Sequence, residues 1–189
     1  MDAFRSKADT LILRRPTLDG LPPVRVPAGY ALRPFRPGDE PAIREIAKRA
    51  FSPIWRMFRE RLGPELCEVE YPDCENRIAR NVEDHWTRFP ECILVFDKKG
   101  YGVVGFVTFL LKPEKKLGIL DDNAVHPDHQ GEGIGTALYR AALDFMKKHY
   151  MKYAKVVTGL DDAHMAARYA YEKAGFNVKH EDVTYYKKL

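Results

Sequence analysis

The chain has 189 residues and a formal net charge of +4, and 45% of its residues are apolar and 31% charged. This length and mixture are typical of one globular domain and exclude a chain that is disordered over most of its length. Neither a nucleic-acid partner nor a membrane is expected, because the charge excess is small and the longest nearly apolar run, Tyr101 to Leu111, falls short of the roughly 20 residues of a membrane helix.

The N-terminus reads MDAFRSKADTLILRR, in which the longest apolar run is Leu-Ile-Leu and charged residues stand on both sides. A secretory signal peptide needs a longer apolar core, so a cytoplasmic location is predicted. The cysteines Cys67, Cys74 and Cys92 form no CxxC pair, which favours reduced structural thiols over a metal site. The histidines show no usual ligand spacing either, so no metal is expected.

Residues 1–29 are predicted to form an irregular, proline-rich N-terminal extension. Seven of the 13 prolines lie between Pro16 and Pro41, and the segment contains the run PPVRVPAG, a composition typical of loops. One ordered domain is therefore predicted over residues 30–189.

The first half of that domain is predicted to contain a strand, three helices and a strand hairpin. Apolar residues recur at helical spacing after Pro41, and Gly63-Pro64 and Pro90 supply stop signals. The dipeptide Ser52-Pro53 is interpreted as the start of a separate second helix. The predicted ranges are strands at 30–36, 92–97 and 103–111 and helices at 43–51, 52–63 and 78–89.

The second half is predicted to alternate strands and helices around a glycine-rich loop. A strong amphipathic helix begins near Ile134, and lysines lie at its C-terminal end, where the helix dipole favours cations. The predicted ranges are strands at 117–125 and 153–160, a last helix that ends at Gly175, and one or two closing strands within 177–189. This order predicts an α/β or α+β fold, a sheet with helices on both faces.

The sharpest local signal is the run QGEGIGT at residues 130–136, between a predicted strand and a predicted helix. Three glycines at alternate positions leave backbone amides uncovered at a helix N-terminus, which is a site for a pyrophosphate. A Walker nucleotide-binding loop is rejected because no lysine follows, and a Rossmann fingerprint because Thr136 or Leu138 stands where Gly or Ala is required. A glycine-rich turn that merely connects strand and helix stays open on spacing alone.

Two motifs together resemble the GCN5-related N-acetyltransferase (GNAT) family. Gln-x-x-Gly-x-Gly at 130–135, after Ala-Val-His-Pro at 124–127, is similar to the family's acetyl-CoA loop. The run AARYAYEKAGF at 166–176 is similar to the family's A-x-x-L-Y-E-K-x-G-F helix, and residues 30–39 resemble its first strand and helix start. The resemblance covers residues 30–189. It implies a mixed, mostly antiparallel central sheet of six to seven strands with about four to five helices on both faces.

The resemblance also implies acetyl-CoA as co-substrate, with no metal. The pantetheine arm would lie along the splayed end of the strand that reaches Val125, and a backbone amide there would polarise the thioester carbonyl. His164 stands where the family often has asparagine, and an imidazole can also donate one hydrogen bond. The implied acetyl-CoA residues are Asn123, Ala124, Val125, Gln130, Gly131, Glu132, Gly133, Ile134, Gly135, Thr136 and His164.

For catalysis, the resemblance implies direct attack of an amine on the thioester. An ammonium with a pKa of about 10.4 must first lose a proton, and Asp121 is the preferred base because strand alternation places it on the face of Asn123. Asp122 would contact the amine, and the alternative is that both aspartates simply end the strand in solvent. Tyr171 matches the family's acid tyrosine, which protonates the leaving thiolate, and the alternative is a core aromatic.

The acceptor is a small-molecule amine or, as an alternative, a peptide N-terminus. Between Pro64 and Asn76 the chain has five acidic residues and no basic one, so this segment either attracts a cationic amine or is a solvated loop. A non-catalytic CoA-binding regulatory module is the alternative from another class, and Asp121 and Tyr171 argue against it. The oligomeric state, a homodimer included, stays open.

Overall fold

One mixed sheet of seven strands organises the described part of the chain, residues 8–184 of a computed structural model, with side chains described for residues 10–73 and 76–182. Its spatial order is β2-β3-β4-β5-β6-β1-β7, and every neighbouring pair is antiparallel except β5 and β6. The strands are β1 Ala8–Arg15, β2 Tyr30–Pro34, β3 Ile93–Lys98, β4 Gly102–Lys112, β5 Leu117–Val125, β6 Tyr153–Gly159 and β7 Val178–Thr184. The predicted mixed, mostly antiparallel sheet is confirmed.

Helices cover both faces of this sheet, as predicted. Two apolar clusters lie on its two sides: one contains the buried faces of α4 and α5, and the other contains those of α1 and α3. The five α-helices within residues 8–184 are α1 Glu40–Leu62, α2 Pro64–Glu70, α3 Cys74–Arg88, α4 Ile134–Lys148 and α5 Met165–Lys173.

The prediction of an irregular extension over residues 1–29 is wrong for residues 8–15. These residues form β1, an interior strand that pairs antiparallel with β6 on one side and with β7 on the other. Leu11 and Leu13 are buried in the same apolar cluster as α4. The strand was missed because its apolar run has only three residues and is flanked by charges, and because its partners lie more than a hundred residues away in the chain.

Because β1 is an interior strand, truncating Leu13 to alanine should destabilise the domain. We expect the free energy of unfolding to fall by about 2–5 kcal/mol, the usual cost of removing a fully buried leucine side chain. Val26→Ala is the control, since Val26 is 43% exposed and such a change usually costs about 0.5 kcal/mol or less. Denaturant titration of both variants measures the difference, and equal midpoints would contradict the interior position of β1.

Helix α1 runs without interruption through Pro53, so the prediction of a separate helix starting at Ser52-Pro53 is wrong. Proline removes one backbone donor and usually bends a helix, but the buried Ile54 and Trp55 that follow it continue the apolar face of α1. The helix ends where predicted, at Gly63, whose φ of 77° is in the left-handed region.

A β-bulge in β5 determines where its two aspartates stand. Val107 of β4 pairs with Asn123 and Phe109 pairs with Leu120, so Asp121 and Asp122 together oppose one residue of β4. A bulge of this kind interrupts strict strand alternation and redirects side chains. The aspartates consequently do not occupy the alternating positions that a regular strand would give them.

Candidate functional site

A large cavity lies where β5 and β6 separate. The two strands pair only from Leu117–Tyr153 to Leu120–Val156, although β5 continues to Val125 and β6 to Gly159. Beyond the paired segment, the backbone N–H and C=O groups on the facing edges of the two strands do not pair with each other. A cavity of about 1070 Å³ occupies this opening and extends from the glycine loop to α1 and α3.

The glycine loop and the N-terminus of α4 form one end of the cavity. Gly131 and Gly133 have φ values of 83° and 82°, which glycine adopts at little cost. No side chain caps α4, so the amides of its first turn lack partners within the helix and carry the positive end of the helix dipole. These groups fit a pyrophosphate.

Nearly all residues predicted for the site line this one cavity. The exception is Glu132, whose carboxylate lies instead near the hydroxyl of Tyr30. Burial raises the pKa of that phenol, and Glu132 adds to the shift. The predicted residues that line the cavity are Asp121, Asp122, Asn123, Ala124, Val125, Gln130, Gly131, Gly133, Ile134, Gly135, Thr136, His164 and Tyr171.

Tyr171 lies at the bottom of the cavity in a hydrogen-bonded group with Asn123 and Tyr139. The Asn123 amide donates to the Tyr171 hydroxyl at 2.8 Å, and the Tyr139 hydroxyl donates to the Asn123 carbonyl at 2.5 Å. The two tyrosine rings stack with their centroids 4.5 Å apart. The Tyr171 hydroxyl thus accepts a hydrogen bond and keeps its own proton available for another acceptor.

Burial raises the pKa of Tyr171, although the hydrogen bond from Asn123 and the nearby Tyr139 hydroxyl oppose this shift. The phenol therefore stays protonated at neutral pH, as a proton donor must. Tyr139 was not predicted as a site residue. It lies among the buried apolar residues of α4, and a tyrosine at such a position looks like a core aromatic in the sequence.

The two aspartates of β5 stand in different surroundings. The Asp121 carboxylate is 45% exposed and lies 3.7 Å from the Nδ1 atom of His85 in α3, whereas Asn123 contacts tyrosines of α4 and α5. The prediction that Asp121 shares a face with Asn123 is therefore wrong, because the bulge intervenes. The Oδ2 atom of Asp122 is buried and has no hydrogen-bond partner among the described residues.

Burial raises the pKa of Asp122 to about 7, and the neighbouring Asp121 adds to the shift. A hydrogen bond with Asn81 and the positive charge of Arg77, both in α3, oppose it only in part. Burial also raises the pKa of Asp121, and His85 opposes that shift. Of the two carboxyl groups, Asp122 therefore has the properties of a base that works near neutral pH.

His164 is held at the rim of the cavity by a short polar network. Its Nδ1 atom lies 2.7 Å from a carboxylate oxygen of Asp161. Arg168 donates to the backbone oxygens of Gly159 and Asp161 at 2.7 and 2.6 Å. These contacts fix the turn between β6 and α5 and set the orientation of the imidazole beside the cavity.

The end of the cavity beside α1 and α3, away from the glycine loop, is lined by aromatic and basic residues that sequence reasoning did not assign to it. Trp55 and Phe58 come from α1, Tyr71 follows α2, and Arg61 and Arg77 add positive charge. None of the described acidic residues of the 64–76 segment lines the cavity. Part of that segment is α2 rather than a loop, so the expectation that its carboxylates attract a cationic amine finds no support in the cavity's lining.

Residues 8–184 contain neither a helix that could cross a membrane nor a cluster of metal-binding side chains. No helix there has the length and apolar character needed to cross a membrane. Within the same residues, no three His, Cys, Asp or Glu side chains are arranged to hold a metal ion.

Comparison of the sequence with known proteins identifies relatives. A sequence model of the Acetyltransferase (GNAT) family matches residues 42–176. The chain is 31% identical over 185 residues to a mycothiol acetyltransferase of Acidimicrobium ferrooxidans, which covers 95% of this chain and 54% of that protein. A mycothiol acetyltransferase of Streptomyces coelicolor is 29% identical over 176 residues, or 92% of this chain and 51% of that protein. The chain spans about half the length of these curated relatives.

Solved structures with the same fold include a GCN5-related N-acetyltransferase from Sphaerobacter thermophilus, with a TM-score of 0.67, 21% identity, and coverage of 98% of this chain and 55% of that one. A GNAT family acetyltransferase from Brucella melitensis in complex with acetyl-CoA has a TM-score of 0.53 at 23% identity and covers 85% of this chain and 91% of its own. At these identities, the likeness establishes the shared fold.

Proposed function

Because the chain belongs to the GNAT acetyltransferase family, we propose that it transfers the acetyl group of acetyl-CoA to a primary amine by direct attack. One observation carries the proposal. A single cavity brings together unpaired strand backbone, the uncapped N-terminus of α4, a carboxyl group with a pKa near 7 and a buried phenol.

The residues at the loop end suit the co-substrate. The amides of residues 131–136 would bind its pyrophosphate, since they form an N-terminus that favours negative charge. Asn123, Ala124 and Val125 would contact the pantetheine arm, because their strand edge faces the opening instead of another strand. A backbone N–H of this edge, that of Val125, would stabilise negative charge on the carbonyl oxygen. His164 would contact the arm from the opposite rim.

Proton transfer is assigned to Asp122 and Tyr171. Asp122 takes a proton from the attacking ammonium, through a water where the distance requires one, so that the nitrogen has a lone pair for the thioester carbon. As the carbon–nitrogen bond forms and the carbon–sulfur bond breaks, Tyr171 gives its proton to the departing sulfur. The second proton that the acetylated nitrogen loses then returns to the Tyr171 phenolate through water, and Asp122 releases its own proton to solvent. The products are an N-acetylated amine and a free thiol, and no acetyl group resides on the protein.

The choice of Asp122 over Asp121 rests on their environments. The buried, unpartnered Oδ2 atom and the pKa of about 7 make Asp122 a stronger base at neutral pH than an ordinary carboxylate. Asp121 is more exposed and adjoins His85. We assign Asp121 an electrostatic role, because its negative charge helps to raise the pKa of Asp122.

A small-molecule acceptor is favoured over a peptide N-terminus. The curated relatives that the chain matches are named mycothiol acetyltransferases, and mycothiol is a small molecule. We call the end of the cavity beside α1 and α3 the acceptor end. The two helices enclose it, which suits a compact acceptor. The test is a thiol-release assay with acetyl-CoA against polyamines, aminoglycosides, amino acids and peptides. Release that depends on a small amine supports the proposal, and tight CoA binding without release indicates a regulatory module.

The glycine loop gives a binding prediction. Gly133→Ala places a side chain at a φ of 82° beside the expected pyrophosphate, with a strain of about 1–2 kcal/mol. We expect CoA affinity, measured calorimetrically, to fall about 10- to 100-fold through the loss of charge-assisted hydrogen bonds. Gly20→Ala is the matched control, since Gly20 also has a positive φ, of 61°, and does not line the cavity. If CoA affinity falls no further in Gly133→Ala than in Gly20→Ala, the loop is not part of the CoA site.

A further inference from the structure

The acceptor end of the cavity has an aromatic wall made of Trp55, Phe58 and Tyr71. The Phe58 and Tyr71 rings lie 5.0 Å apart between centroids, and Trp55 lies 6.0 Å from each of them. All three residues line the same cavity as Asp122 and Tyr171. A wall of this kind binds a flat or bulky apolar group through its rings.

Within this wall, one polar atom lacks the partner that burial requires. Trp55 is only 8% exposed, and its Nε1 atom is buried without a hydrogen-bond partner among the described residues. A buried N–H without a partner costs free energy, and a buried tryptophan usually finds one. Trp55 lines the cavity, and an oxygen atom of the bound acceptor would supply this partner once binding displaces the atoms that cover Nε1.

Two arginines at the acceptor end of the cavity indicate the charge of the acceptor group that carries this oxygen atom. Arg61 and Arg77 line the cavity, and the guanidinium of Arg77 lies 5.7 Å from the centre of the Tyr71 ring. Arg77 also acts electrostatically on Asp122, so a positive and a negative group stand near each other where the acceptor amine must lie. Two arginines that line the same end of a cavity favour a carboxylate and oppose a second positive charge on the acceptor.

We propose that the acceptor is an α-amino acid with an aromatic or large apolar side chain, an inference that rests on the acetyltransferase function proposed above. The amine faces Asp122, the carboxylate adjacent to it binds Arg77 and Trp55 Nε1, and the side chain packs on the aromatic wall. An ammonium and a carboxylate on one carbon atom match the opposite charges of Asp122 and Arg77. A polyamine would instead place its further cationic groups near Arg61 and Arg77.

The test uses three acceptors that differ only at the carboxylate position, together with a polyamine. Initial rates of acetyl transfer are measured for L-phenylalanine, L-phenylalaninamide, phenethylamine and spermidine with the wild-type protein and with Arg77→Met. Arg80→Met is the matched control, because Arg80 is in the same helix, pairs with Asp73 and does not line the cavity. The ratio of wild-type to variant kcat/KM for each acceptor cancels the intrinsic reactivity of its amine.

We expect Arg77→Met to lower kcat/KM for phenylalanine about 10- to 100-fold more than for phenethylamine, since only phenylalanine loses a charge-assisted bond. Phenylalaninamide keeps the oxygen without the charge and should fall between them. Trp55→Phe, which keeps a ring and removes the N–H, should also reduce the rate with phenylalanine more than that with phenethylamine. Arg80→Met should leave all ratios near one, and Arg77→Lys should recover part of the preference.

An equal loss for all acceptors in Arg77→Met would overturn the inference, because Arg77 would then act only through Asp122. Acetylation of spermidine or phenethylamine in preference to phenylalanine by the wild type would also overturn it, while leaving the acetyltransferase function intact. Absence of acetyl transfer to any amine would instead contradict the proposed function itself.

Discussion

Asp122→Asn is expected to lower turnover about 10²- to 10⁴-fold at pH 7, the usual loss when a general base is removed. The rate of the wild-type protein should rise with pH through about 7, because Asp122 accepts a proton only when it is ionised. In the variant, this rising limb of the pH–rate profile should disappear, and the rate should follow the titration of the amine alone. A pH–rate profile measured from pH 5 to 10 on both proteins provides the test.

Asp121→Asn is the matched control for this variant. Removing the negative charge of Asp121 should lower the pKa of Asp122, so the limb in the pH–rate profile should shift to lower pH while most of the turnover remains. If Asp121→Asn abolishes the limb and Asp122→Asn keeps it, the base is Asp121. The two profiles therefore distinguish between neighbouring residues of one strand.

The raised pKa of Asp122 also predicts a stability effect of known sign. A carboxyl group whose pKa is higher in the folded state stabilises that state below its unfolded value of about 3.8, and this contribution is lost as pH rises to about 7. The stability of Asp122→Asn relative to wild type should therefore increase between pH 4 and pH 7 and then level off. Thermal melts across this range, in which about 2–4 °C corresponds to 1 kcal/mol, measure it without any substrate.

Tyr171→Phe is expected to lower kcat about 10²- to 10⁴-fold while the affinity for acetyl-CoA stays close to wild type. The change removes the hydroxyl that protonates the sulfur in the proposed mechanism, and it keeps the ring that stacks on Tyr139. Turnover measured with saturating acceptor, together with calorimetric CoA binding, separates the two quantities. Unchanged turnover would mean that water protonates the thiolate.

Tyr139→Phe is the control for Tyr171, because it removes the neighbouring hydroxyl from the same hydrogen-bonded group. Tyr139 donates to Asn123, which in turn donates to Tyr171, so its loss should disturb the position of the acid without removing the proton. We expect a smaller reduction in kcat than in Tyr171→Phe. Equal losses in the two variants would indicate that the hydrogen-bonded group acts structurally.

Most of the fold could be predicted from local patterns in the sequence. The strand hairpin at β3 and β4, the strand β5 and helix α4 are marked by apolar periodicity and by glycine and proline at their ends, and these signals are local. Strand β1 could not be predicted in this way, because it is a short apolar run with arginines beside it. Its interior position in the sheet depends on its pairing with β6 and β7, which are distant in the sequence. Pro53 was a misleading signal, since tertiary packing of α1 outweighs the loss of one donor.

The residues of the candidate site also differ in whether a local sequence pattern could predict them. Its loop and strand residues are contiguous in the sequence, so QGEGIGT and the residues before it could be recognised together. The acceptor end is assembled from α1, α3 and the residue after α2, and Trp55, Arg61 and Arg77 carry no motif that links them. The bulge that reverses the ranking of Asp121 and Asp122 depends on β4, which no pattern within β5 reveals.

The most direct test of the proposed function follows the acetyl group itself. Acetyl-CoA with an isotopically labelled acetyl group is incubated with the protein and L-phenylalanine, and mass spectrometry measures the label on the amino acid, on the protein and in free acetate. The proposed mechanism predicts one labelled N-acetyl group on the amino acid for each CoA thiol released, with no label on the protein. Thiol release that yields labelled acetate or labelled protein without N-acetylated acceptor would contradict direct transfer in this cavity.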